Sequence, residues 1–173
     1  MPYYVAFTEK YPSVTDLAQA DEQSILKLWQ GLGYYSRARN LHYTARMIVQ
    51  NHKGIFPDTY SELIKLKGIG DYTAAAIASF AFDEIVPTVD GNVYRVLSRY
   101  FGIETPIDLP AAKKEFKNLA GELIDPLQPG IFNQAIMEFG ALQCVPASPD
   151  CTSCTLNDSC VALQLKKTGI LPV

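Results

Sequence analysis

Leu66-Lys67-Gly68-Ile69-Gly70-Asp71-Tyr72-Thr73-Ala74-Ala75-Ala76-Ile77 (residues 66–77) is the stretch from which the fold is read. Ahead of it, Leu63, Ile64 and Leu66 form a short helical pattern for which Asp58 is the expected N-cap. Behind it an apolar, alanine-rich segment runs to Phe82. Helix, tight Gly-x-Gly turn, helix is the resulting pattern. Glycines in such a turn let backbone N–H groups approach a phosphate at a helix N-terminus. A plain corner between two packed helices gives the same pattern, so the stretch alone leaves both readings open.

Working outward, every strong periodicity is helical and none reads as a sheet. Tyr3, Val5, Ala6 and Phe7 open the chain on a helical pattern, which Tyr11-Pro12-Ser13 breaks. Thr15 or Asp16 is expected to start a short helix through Ala18. Asp21 is the expected N-cap of a helix carrying Ile25, Leu26, Leu28 and Trp29. That helix ends at Gly31-Leu32-Gly33, followed by the tip Tyr34-Tyr35-Ser36. From Ser36 to His52 the pattern is helical again, with Leu41, Tyr43, Ala45, Ile48 and Val49 as candidates for its buried side, and Gly54 closes it. Arg37, Arg39 and Arg46 fit an ordinary solvated face. Beside a rigid Leu and Tyr tip they also fit a nucleic-acid surface, where apolar side chains wedge or stack on bases and arginines meet phosphates.

Downstream, the extended Ile85-Val86-Pro87-Thr88-Val89 leads to Asp90-Gly91-Asn92, directly before a helix with Val93, Val96 and Leu97 inward. Asp90 reads as an N-cap, and equally as a carboxylate facing a substrate. A helix over Ala111–Ile124 presents Lys113, Lys114 and Lys117 to solvent. Another, from Ile131 to Leu142, packs through Phe132, Ala135, Ile136, Phe139 and Leu142. It delivers the chain to Cys144.

Cys144, Cys151, Cys154 and Cys160 form a C-x6-C-x2-C-x5-C run, the only cysteines of the 173 residues. Spacings this short let four sulfurs converge. Disulfides fit poorly, because nothing else suggests an exported chain. Zinc sites usually show two C-x2-4-C pairs, and here only Cys151 and Cys154 make one. Four thiolates with unequal gaps suit a [4Fe-4S] cluster, an object larger than one ion.

A chain of this length, 48% hydrophobic, can bury a real core. The first residues lack the basic start and apolar run of a signal peptide. The longest apolar run, Ala74 to Phe82, is interrupted by Ser79 and too short to span a bilayer. With a cluster that needs a reducing interior, the expected location is the cytoplasm. The net charge of −3 is not that of a typical nucleic-acid binder, but local placement decides whether phosphates are met.

Three motifs in this order, Leu66-Lys67-Gly68-Ile69-Gly70, Val89-Asp90-Gly91-Asn92-Val93 and the cysteine run, resemble the helix-hairpin-helix DNA glycosylases with an iron–sulfur loop. The similarity covers essentially the whole chain. Gly31-Leu32-Gly33-Tyr34-Tyr35-Ser36-Arg37-Ala38-Arg39-Asn40 and the Asp-Gly-Asn segment resemble the adenine branch, of the MutY type. The neighbouring endonuclease III branch uses a lysine nucleophile where this chain has Tyr72, so the amine of a glycosylase-lyase is missing. The resemblance implies an all-α bundle with a cluster loop, organised as a hairpin-bearing bundle over 1–125 and a C-terminal helix with the loop over 126–173. It implies Asp90 as the catalytic carboxylate and Tyr72, Asn92 and Gln134 around an extruded adenine. Leu32 and Tyr34 would probe beside 8-oxoguanine, and amides around Gly68 and Gly70 would grip a phosphate. A monovalent cation would sit on carbonyls near Ile64, Leu66 and Ile69, and Cys144, Cys151, Cys154 and Cys160 would hold the cluster. The implied partner is double-stranded DNA with an adenine mispair; no protein partner and no membrane are implied.

The resemblance also places a glutamate general acid ahead of the segment Pro2-Tyr3-Tyr4, and a Nudix-like domain after the last helix; neither is in this sequence. Adenine excision by these residues alone is therefore expected to be undetectable or severely reduced, since a neutral purine leaves more readily than its anion. The competing expectations are a mispair-binding module without catalysis and an endonuclease III-like glycosylase-lyase.

Overall fold

A computed structural model describes residues 2–173, and every regular element among them is helical, as the periodicity predicts. Contacts gather into two units, Met1–Gly70 and Asp71–Val173. The division falls at the end of the glycine turn. The helix that follows residue 125 packs on two helices that precede it, which holds all three in one unit.

In the first unit, α1 (Pro2–Lys10), α2 (Val14–Gln19), α3 (Glu22–Leu28), α4 (Tyr35–His52) and α5 (Tyr60–Leu63) follow in order. Ser13 caps α2 in a reciprocal box with Asp16, its side chain accepting from the Asp16 N–H. The expected starters, Thr15 and Asp16, therefore lie inside the helix. Asp21 caps α3 as expected, whereas α5 starts after Thr59 and not after Asp58. Leu17, Ile25, Ala38 and Ala45 form the core, edged by Phe7, Tyr11 and Trp29. Phe7 meets Tyr11 and Trp29 edge-on at 5.3 and 6.0 Å between centroids. On α4, Ala45 and Ile48 are buried as expected, whereas Leu41 and Tyr43 are exposed and Ala38, His42 and Thr44 complete the buried side. Position 43 lies nearly opposite 45 around the helix, so Tyr43 turns to solvent where Ala45 is buried.

The second unit holds α6 (Asp71–Phe82), α7 (Gly91–Phe101), α8 (Pro110–Leu123), α9 (Pro129–Leu142) and α10 (Val161–Gln164). Val93, Leu97, Ala112, Phe116, Ala120 and Met137 form its core. Pro110 sits in the first turn of α8, where its missing N–H costs nothing. Lys117 does not simply face solvent: its Nζ pairs with Asp71 at 2.8 Å, and Lys113 reaches the same carboxylate at 3.4 Å. On α9, Ala135 and Leu142 are exposed, and beyond Pro129 in the first turn the buried positions are Asn133, Met137 and Gly140. Their i, i+4, i+7 spacing is a helix face, but an asparagine and a glycine on it escape any count of apolar residues.

Candidate active site and cysteine centre

Within the glycine turn, only Gly68 needs to be glycine for the fold. Its φ is +82°, and a Cβ there would lie 2.5 Å from the Cβ of Asn40. Gly70 has no such φ and nothing within 4 Å of an added Cβ, so its backbone is open for close approach from outside. Thr44 Oγ1 donates to the Lys67 carbonyl at 2.8 Å, and the Ile69 N–H donates to the Leu66 carbonyl at 3.1 Å. Both bonds stiffen the turn. The Leu66 carbonyl, one of the three implied for a cation, thus has one of its two lone pairs engaged.

The tip between α3 and α4 is built rather than loose. Trp29 Nε1 donates to the Gly33 carbonyl at 3.1 Å, and the Arg37 guanidinium lies 5.4 Å from the Tyr34 ring and 5.9 Å from that of Trp29. Tyr34 itself takes a left-handed φ of 47° at the helix start. It is 79% exposed and Leu32 39%, on a braced turn. That is the arrangement a stacking or wedging pair requires.

Asp90 caps α7: Oδ1 accepts from the Val93 N–H at 2.8 Å and Oδ2 from Asn92 Nδ2 at 2.9 Å. Both sequence readings of this residue are compatible with that geometry, since two bonds leave further lone pairs on the carboxylate. Asn92 in turn accepts from Arg95 Nη2 at 2.7 Å; the same nitrogen donates to the Gly140 carbonyl at 2.6 Å, and Arg95 Nε to the Cys144 carbonyl at 2.7 Å. A continuous path of hydrogen bonds therefore runs from Asp90 to the first cysteine. Helix α9 backs this region. Gly140 abuts Asn92, with a Cβ there falling 2.7 Å from that of Asn92, and Met137 Sδ receives the Tyr72 hydroxyl at 3.6 Å. Gln134 lies one turn before Met137 along the helix, exposed, its amide donating to Glu138 at 2.6 Å.

All four cysteines line one recess of about 430 Å³ including its solvent-open part, together with Val96, Arg99 and Phe139. Burial pushes the Cys151 thiol above its ordinary range, the other three cysteines add to this, and Arg99 opposes it. The sulfurs are thus within electrostatic reach of one another. Among the described residues no three His, Cys, Asp or Glu side chains close on a point that would hold a single metal ion. The Leu156 N–H donates to Cys154 Sγ at 3.4 Å, and Cys160 Sγ lies 3.5 Å from the Arg99 carbonyl oxygen.

The model of the HhH-GPD superfamily of base excision DNA repair proteins matches residues 1–125. The chain belongs to this superfamily. It is 41% identical over 96% of its length to an adenine DNA glycosylase of Arabidopsis thaliana, covering 29% of that relative. Among solved structures, it resembles a thermostable thymine-DNA glycosylase with TM-score 0.87 and 30% identity over 95% of this chain and 76% of that one. A non-covalent endonuclease III–DNA complex is similar with TM-score 0.80 and 26% identity over the same shares. The chain spans 29% of the length of the Arabidopsis thaliana relative and 49% of that of an adenine DNA glycosylase of Buchnera aphidicola subsp. Acyrthosiphon pisum.

Four residues of this superfamily member escaped the sequence reading. Arg95 and Arg99 sit at positions that a helical wheel assigns to no function, yet both reach the cysteine loop. Arg95 follows Asn92 by three residues, a spacing that could have suggested their contact. Asn133, 1% exposed, accepts from the Thr88 N–H and donates to Ser79 Oγ and the Val86 carbonyl. It clamps the extended segment that delivers Asp90. Gly140 carried no local signal at all.

Proposed function

We propose that the chain is the core of an adenine DNA glycosylase, which hydrolyses the N-glycosidic bond of adenine set opposite 8-oxoguanine or guanine in duplex DNA. The observation that carries this reading is the Asp90 carboxylate, fixed at the start of α7 by Val93 and Asn92. When the C1′–N bond breaks, its electron pair leaves with the base and positive charge develops on the sugar. A prepositioned carboxylate stabilises that charge without reorganising. Water then supplies the hydroxyl at C1′ and releases a proton. The departing base takes up a proton from an acid, the role the resemblance gives to a glutamate ahead of Pro2. Tyr72, Asn92 and Gln134 would surround the extruded base. The Gly68–Gly70 turn would hold a phosphate, with a monovalent cation on its carbonyls, and Leu32 and Tyr34 would insert beside the orphaned partner. The hydroxyl of Tyr72 offers no amine for a Schiff base, which favours simple hydrolysis over the lyase reaction.

In the same proposal Cys144, Cys151, Cys154 and Cys160 hold one [4Fe-4S] cluster. The donor set fits, because all four cysteines line one recess and thiolates are the usual ligands of such a cluster. Bound there, the cluster braces the C-terminal loop. About four irons per chain in a brown, anaerobically purified protein are expected, and stoichiometric zinc in a colourless one would overturn the assignment.

The test of the reaction uses the protein at its natural length and a duplex with one adenine opposite 8-oxoguanine. Asp90→Asn should abolish adenine release while leaving duplex binding within a few-fold, because the lost charge acts in the transition state. Asparagine is as good an N-cap as aspartate, so folding is retained. Undiminished release by this variant would sink the assignment, and a borohydride-trapped adduct would establish the lyase reading instead.

A further inference from the structure

Arg99 lies on the inner side of α7 and is 3% exposed. Its guanidinium donates to four acceptors: Nε to the Leu171 carbonyl at 2.9 Å, Nη1 to the Val145 carbonyl at 2.8 Å and to Cys144 Sγ at 3.4 Å, and Nη2 to the Pro146 carbonyl at 2.9 Å. The hydrogen bonds are thus satisfied, but the charge is not. None of the ion pairs Arg39–Glu22, Lys113–Asp71, Lys117–Asp71 and Lys167–Glu104 involves Arg99. A guanidinium cannot shed its proton, so a buried one without a counter-charge is strongly disfavoured. The remaining candidate for negative charge in contact with it is sulfur. Arg99 Nη1 donates to Cys144 Sγ, and the Arg99 side chain lines the recess shared by all four cysteines.

We propose that Arg99 is the resident counter-ion of the four-cysteine centre, offsetting the negative charge of the ligated sulfurs and raising the reduction potential of the cluster they hold. The proposal rests on the cluster reading above. Four thiolates on a [4Fe-4S] core leave a net negative charge in the loaded state. Adding an electron increases it, and a fixed cation one hydrogen bond from a ligand sulfur favours the more negative form. Charge and hydrogen bonds to sulfur are general determinants of cluster potential. If Arg99 only tied three carbonyls together, any side chain with well-placed N–H donors would serve equally. As a counter-ion it can be replaced by another cation and not by a neutral donor.

The loaded protein and its Arg99→Gln and Arg99→Lys variants separate these roles, with the cluster midpoint read by film voltammetry. Iron content of the unaltered protein comes first; absence of iron there refutes the cluster reading and not the role of Arg99 within it. With iron present, Arg99→Gln should lower the midpoint so that the reduced-to-oxidised ratio at fixed poise falls about tenfold, a shift of about 59 mV for one electron. Arg99→Lys should retain most of the original value. If Arg99→Gln cannot retain the cluster at all, anaerobic reconstitution gives the second readout: Arg99→Lys must then accept iron and sulfide where Arg99→Gln does not. An unchanged or raised midpoint in loaded Arg99→Gln, equal shifts in both variants, or equal loss of the cluster from both would overturn the proposal.

Discussion

The two glycines of the 66–70 turn look equivalent in sequence, and the structure makes them opposite experiments. Gly68→Ala meets two penalties. An alanine held at φ +82° takes a left-handed conformation that costs about 1–2 kcal/mol. Its Cβ would also fall 2.5 Å from the Asn40 Cβ, 2.9 Å from Cγ and 2.8 Å from Nδ2. Rotating Asn40 about χ1 moves Cγ and Nδ2 aside but leaves Cβ, which is fixed to the α4 backbone. The overlap must be relieved by backbone movement, at roughly 1–3 kcal/mol by analogy with overpacked cores. The sum, about 2–5 kcal/mol, lowers the melting temperature by roughly 5–20 °C in a domain of this size. Gly70→Ala has neither penalty, since nothing lies within 4 Å of its Cβ; its stability should stay within about 0.5 kcal/mol of the parent. Backbone strain therefore plays no part at position 70, and what remains for Gly70 is an approaching phosphate. Its substitution should weaken binding to matched and mispaired duplexes alike, because phosphate contacts carry no sequence information. Thermal melts and duplex titrations of the two variants decide the matter. A Gly68→Ala protein that melts with the parent would refute the steric reasoning, and an unchanged affinity in Gly70→Ala would remove the phosphate from the turn.

Asn133→Leu strips partners from the Thr88 N–H, Ser79 Oγ and the Val86 carbonyl, and should cost about 3 kcal/mol or more in urea unfolding; a loss below about 1 kcal/mol would mean these groups find other partners. Arg95→Leu breaks the path from Asn92 to the Cys144 carbonyl, so the natural-length protein should lose both excision rate and iron retention, and loss of neither would show the path to be incidental. Burial, and secondarily Asp21, raise the Tyr11 hydroxyl above its usual 10.0, and that oxygen has no hydrogen-bond partner among the described residues. The neutral phenol is the folded form, so its contribution is intact below pH 10 and lost as pH rises through the raised value. Tyr11→Phe should equal or exceed the parent by up to about 1 kcal/mol at pH 7, and the gap in urea stability should widen above pH 10; a gap that narrows there would contradict the sign.

Much of this was legible because the relevant interactions are local. Asp21 and Asp90 sit one residue before their helices, and the Ser13–Asp16 box spans four residues, so caps are written into short windows. The helical periodicity and the cysteine spacing are equally short-range. What the sequence hid depends on contacts between distant positions. Arg99 reads as a charged residue to be left in water; only the fold brings Val145, Pro146 and Leu171, up to 72 residues away, around its guanidinium. Asn133 scores as polar and Gly140 as a helix weakener, yet each is buried at a contact with another element. Leu142 failed in the opposite direction, apolar and 79% exposed, because apolarity gives no direction around a helix. The Lys113 and Lys117 pairing with Asp71 was missed for the same long-range reason.

The cap at Asp90 and its catalytic reading do not compete, and the geometry explains why one residue can hold both. An N-cap side chain must stand outside the helix with its carboxyl turned to the first free N–H groups, which fixes it in place before any substrate arrives. The positive end of the α7 dipole and the Asn92 amide fix it further, and Arg95 fixes Asn92. A carboxylate so restrained has little freedom left to lose on meeting a developing positive charge. Gly140 completes the arrangement by lacking a side chain: a Cβ there would fall 2.7 Å from that of Asn92, inside contact distance. The turn can therefore lie directly against α9, on the helix that also carries Gln134 and the Met137 contact to Tyr72. Candidate residues scattered over more than 60 positions are thus referred to one rigid support. That is a physical reason for a carboxylate, an amide and a phenol to be held by packing and not by a loop.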